Sequence, residues 1–145
     1  MAEEQIAFVL WPAVVTGLAI GVYEAFMLMK DVTVPTHKWS HAAHSLVLTT
    51  FFAFCSINAE WAIATFGLSN IAFISNPWML RIALGLIGVI KIHTASAVNR
   101  SIGTAAGLGE TWFHSLFVGV LIVVSPYIAP FVANFLPGSA PAANP

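Results

Sequence analysis

The chain has 145 residues, of which 59% are hydrophobic and only 8% charged, with a mean hydropathy of +0.87. A water-soluble domain carries roughly 25% charged residues, so charge cannot cover this surface and lipid is the expected solvent. The net charge of −1 leaves no basic stripe for nucleic acid, and the single cysteine, Cys55, excludes an internal disulfide and any CxxC site.

Four apolar runs, at residues 6–29, 44–66, 78–97 and 112–135, are each long enough to span a bilayer, which takes about 20 residues of helix. They predict an all-α, integral membrane four-helix bundle. A single four-span domain is expected over residues 1–135, with a loose Pro/Ala/Gly/Asn tail over residues 136–145. Residues 1–5 hold Glu3 and Glu4 but no Lys or Arg. They lack the positive start of a secretory signal, so the first run is expected to stay as a span.

Span one places Pro12 in its opening turns, where proline is best tolerated. Gly17 and Gly21 form a GxxxG pair that lets another helix approach. The first connection holds Lys30, Asp31, Pro35 and Lys38, with Thr36 as an expected N-cap for span two. That span is predicted to run without interruption to about Ala64, with Asn58, Glu60 and Trp61 at the far interface. The second connection, residues 67–77, has no charge and an apolar middle, which suits a position on the membrane surface. In span three, Arg81 lies one turn in and is expected to snorkel to the headgroups. The third connection holds Gly103, Gly107 and Gly109. It matches neither phosphate-loop pattern and follows no strand, so it is predicted to be a turn. Span four carries Pro126 and Pro130 inside it.

Lys30, Lys38 and Arg100 lie at the first and third connections, and only Arg81 lies at the other face. The positive-inside rule then puts those connections in the cytoplasm and both termini outside, in what is expected to be the cell membrane. Trp11, Trp61 and Trp78 frame one face and Trp39 and Trp112 the other.

The two halves resemble each other, which predicts two tandem helix-hairpin repeats. Trp11 matches Trp78, and in the same register Ile20-Gly21-Val22 matches Ile87-Gly88-Val89 and Glu24 falls on Lys91. Downstream, Trp39-Ser40-His41 resembles Trp112-Phe113-His114, while a rival register pairs His44-Ser45-Leu46 with His114-Ser115-Leu116. Two spans per unit imply a pseudo-two-fold axis along the membrane normal. If spans one and three meet at their glycines, Glu24 and Lys91 form a buried ion pair or a relay. Glu24 lies roughly 9 Å inside its span at a rise of 1.5 Å per residue. Ionisable groups at such depth are functional candidates by default.

All five histidines fall on that same face. His37, His41 and His44 follow i, i+4, i+7 and share a helical stripe. Imidazoles so placed can hold haem iron, copper or zinc. A set drawn from His41, His44, His93 and His114 is the candidate metal site, with His37 facing water beside Lys38. Met27 and Met29 suit copper(I) but are better read as lipid-facing. A quinone against Trp39 and Trp112 is equally open. No nucleophile constellation is visible, so the chain is not expected to be an enzyme by itself.

Three functions remain. The first is a non-catalytic accessory or structural subunit of a larger membrane complex, such as a membrane enzyme, held by lipid, other membrane subunits or self-association. The second is a metal- or haem-binding redox subunit. The third is a small transporter or proton-conducting protein.

Overall fold

The computed structural model describes residues 6–31, 35–100 and 112–136; within helices, the side chains of residues 31, 35–38, 40–41 and 95–100 lie outside the description. The glycines of the third connection and the tail beyond residue 136 fall outside it as well. The regular structure among the described residues is all helical, with no strand. They form α1 (Trp11–Asp31), α2 (Pro35–Ile57), α3 (Ala59–Thr65), a short 3-10 turn (Leu68–Asn70), α4 (Pro77–Arg100) and α5 (Trp112–Ala133). Three helices, α1, α4 and α5, are long and apolar enough to cross a membrane. A fourth span results if α2 and α3 are counted as one bent element.

That bend is the main departure from the expected second span. α2 stops at Ile57, and α3 leaves at 64° to it. The side chain of Asn58, at the break, reaches back to the residues before α1. Its Oδ1 accepts from Val9 N–H at 2.8 Å, while its Nδ2 donates to the carbonyls of Val9 at 2.9 Å and Phe54 at 3.1 Å. Phe8 packs beside this clamp against Phe54 and Trp61. The chain prefers the bend because Asn58 satisfies backbone groups of residue 9 that no helix partner can reach. Thr36 is not a cap, since α2 already includes Pro35, a residue suited to a first helical position.

α1 and α2 run antiparallel in close contact. A methyl group added at Gly17 would lie 2.8 Å from the Thr50 carbonyl oxygen, and one at Gly21 2.9 Å from that of Leu46. α4 and α5 repeat the arrangement. Trp78 stacks on Tyr127, Gly85 faces Gly119 and Val123, and Gly119 abuts Val89. α2 also runs antiparallel to α4, because Arg81 reaches Ser56 while Gly88 faces Phe52. The helices therefore pack in the cycle α1–α2–α4–α5, with α2 and α5 also touching across it. Among the described residues, the backbones of α1 and α4 do not approach each other. The glycines of the first and third spans thus serve the neighbours within each hairpin rather than one another.

The centre is an apolar layer of Ile20, Phe52, Ala53, Ile92, Val118 and Ile122. α5 passes through both prolines as one helix. Pro126 has no N–H to offer the Ile122 carbonyl one turn back, and the Ser125 hydroxyl donates to that carbonyl at 2.8 Å instead.

Candidate functional site

The antiparallel packing brings the C-terminal ends of α1 and α4 to the N-terminal ends of α2 and α5. Glu24, His41, His44, Lys91, His93 and His114 all belong to this end. Their surroundings differ sharply. Glu24 is 1% exposed, on the stripe of α1 that also buries Thr16 and Ile20. Lys91 is exposed, as is His44, and His114 is half-buried beside Phe113. His41 lies on α2, with its side chain outside the described residues. His93 is 9% exposed and stacks flat on Trp112, with 3.7 Å between ring centroids.

Glu24 and Lys91 therefore occupy different environments. At the other end of the bundle Arg81 Nη2 lies 3.0 Å from Glu60 Oε1. No three His, Cys, Asp or Glu side chains gather as metal ligands among the described residues. Two more buried hydroxyls, Ser45 and Ser115, lie on the turns of α2 and α5 at the Glu24 end. Ser45 donates back to the Ala42 carbonyl at 3.2 Å.

The opposite end is built around Arg81. It is 5% exposed and does not snorkel. Its Nε donates to the Ser56 carbonyl at 3.3 Å and its Nη2 to Glu60 at 3.0 Å, and its guanidinium lies over the Trp78 ring. The helix break explains the difference from expectation. It turns Glu60 and the last carbonyls of α2 toward α4, so the guanidinium finds acceptors inside the protein.

The polar residues that sequence reasoning passed over lie between these ends. Thr16, Thr49, Ser56 and Ser125 are fully buried. Their signal was present in the chain: Ser45, Thr49 and Ser56 fall on one helical stripe. That stripe could have been read as a polar face turned inward.

In chemical terms, the arrangement is inverted relative to a soluble protein. Phe, Leu, Ile and Val face outward, while a carboxyl group, an imidazole, a guanidinium and several hydroxyls lie inside. Such an interior can hold and pass protons, because each group accepts or donates hydrogen bonds while the outer surface excludes water. It can equally fix helix register.

Compared with known proteins, the chain matches no family model, no curated protein and no solved structure.

Proposed function

We propose that this protein is a small membrane protein that takes up and releases protons at Glu24, as a transporter or proton-conducting unit. The observation that carries this reading is the burial of Glu24 at 1% exposure on a helix whose other charged residues, Lys30 and Asp31, are its last two. A carboxylate in hydrocarbon is costly, so intramembrane acids mark proton or ion pathways more often than packing positions. His93, buried at the same end of the bundle against Trp112, is a second group able to exchange a proton. Lys91, exposed there, belongs to the entrance rather than to the buried step.

The test is proton flux in liposomes containing the purified protein and a trapped pH-sensitive dye. Glu24→Gln should reduce flux to that of empty vesicles, and Glu24→Asp should keep part of it. A Gln variant that conducts like the parent overturns the reading.

The accessory-subunit reading lost one support and gained another. The glycines that suggested partner docking are occupied within the hairpins. In return, an open apolar groove of about 290 Å³ lies on the outer face between α1 and α2, lined by Val14, Leu18, Leu46, Val47, Phe51 and Phe54. It suits a helix from another membrane subunit. Co-purification of a defined partner in mild detergent supports this second reading, and a stable solitary monomer counts against it.

The topology is part of the same proposal: four spans in a bundle, the Lys-bearing connections in the cytoplasm and both termini outside. So is the doubled unit, supported by matched close approaches. Gly17 against Thr50 has its counterpart in Gly85 against Val123, and Gly21 against Leu46 in Val89 against Gly119.

A further inference from the structure

The hydroxyls of Thr16, Thr49 and Ser56 are fully buried, and none of them has a hydrogen-bond partner among the described residues. Serine and threonine in membrane helices ordinarily bond back to their own helix. Here Thr50 does so to Leu46, Thr94 to Ile90 and Ser125 to Ile122. Unmet polar groups in an interior are the usual place for ordered water, which supplies the missing bonds.

Their placement is linear. Thr49 and Ser56 share a stripe of α2 with Phe52 between them. The register set by Gly17 with Thr50 and Gly21 with Leu46 puts Thr16 and Thr49 within about 3 Å of one level along the bundle. Ser56 lies about 10 Å further on. There its carbonyl accepts from Arg81, which pairs with Glu60, whose side chain is 47% exposed. In the other direction Ile20, Val118 and Ile122 of the apolar layer stand between Thr16 and Glu24.

We propose that Thr16, Thr49 and Ser56 are stations of an intermittent water file that reaches Glu24 from the Arg81–Glu60 end, with two apolar gates: Phe52 between Ser56 and Thr49, and Ile20 with Ile122 between Thr16 and Glu24. This rests on the proton-handling reading of Glu24. Each hydroxyl and each water accepts one proton and passes on another, so none of them ends the step charged. A proton that enters at the Glu60 end is balanced by protonation of the Glu24 carboxylate to the neutral acid.

Two measurements test the file. Water-edited solid-state NMR in lipid reads hydration at the Thr16 and Thr49 methyl groups, and both should receive magnetisation from water. In liposomes, Thr49→Val keeps the shape but removes the hydroxyl. Flux should fall about tenfold, the size of effect expected from one lost hydrogen bond in a barrier. Thr49→Ser should restore it, and Phe52→Ala should raise it. Dry threonine methyls, or a Thr49→Val variant that conducts at the parent rate while Glu24→Gln does not, overturn the file. If the parent protein carries no flux at all, the proton-handling reading fails, and the NMR signal alone then decides whether the water is there.

Discussion

Asn58 uses its whole amide on backbone groups, two of them on Val9, 49 positions earlier in the chain. Asn58→Ala should leave both Val9 groups unmet and cost about 2 kcal/mol, read as a lower unfolding midpoint in detergent. Arg81 is similarly specific. Lysine offers a point charge where two acceptors need a planar fork, so Arg81→Lys should destabilise measurably. The half-exposed Glu60 limits the loss to about 1 kcal/mol. Gly17→Ala would press a methyl group onto the Thr50 carbonyl. A backbone atom cannot yield there, so the helices must part, at about 1–3 kcal/mol. At this scale the sequence was partly legible. Glu24 stood out as an acid in an apolar run. The role of Arg81 did not, because its acceptors lie on another helix and become available only where that helix bends. The candidate ligands His41, His44, His93 and His114 belong to helix turns at one end of the bundle. A visible spectrum and metal analysis of the purified protein test whether any of them holds haem, copper or zinc.

Among the elements, the break after Ile57 had no proline or glycine to announce it. Asn58-Ala59-Glu60 reads as helix by composition, and only the distant Val9 makes the bend favourable. Span four shows the reverse. Its two prolines each remove a backbone donor from the helix, yet Ser125 repairs one of the exposed carbonyls. Ser125→Ala should therefore cost about 1 kcal/mol, seen in the same detergent unfolding assay. The doubled-unit reading turns on a single residue of register. The paired glycine contacts align α1 with α4 one residue further along than the match of Trp11 with Trp78. One residue turns a helix face by about 100°. On the proposed repeat, Glu24 would then correspond to Ile92 and Lys91 to Tyr23, and the two charges would no longer be equivalent. The same contacts favour the register of Trp39-Ser40-His41 with Trp112-Phe113-His114. In it, the buried Ala42, Ser45, Thr49, Phe52 and Ser56 fall on the buried Ser115, Val118, Ile122, Ser125 and Ala129.

For the molecule as a whole, composition made the solvent legible and the run lengths made the number of spans nearly so. Which helices would touch was not legible, since apolar faces of similar character pack equally well with any neighbour. The observed cycle places α2 and α5 at the centre and separates α1 from α4. The proposed orientation has a direct check. With Cys55 replaced by serine, a cysteine introduced at Gly138 should react with an impermeant thiol reagent from outside intact cells. Labelling only after permeabilisation would reverse the topology.

The clamp at Asn58 has a bearing on how the chain is made. Residues ahead of α1 dock on an amide that leaves the ribosome some fifty positions later. The leading stretch therefore stays unanchored during early insertion and settles only once the second hairpin arm arrives. Until then the segment just before α1 is open to proteolysis, so its cleavage would report assembly of the hairpin rather than its insertion.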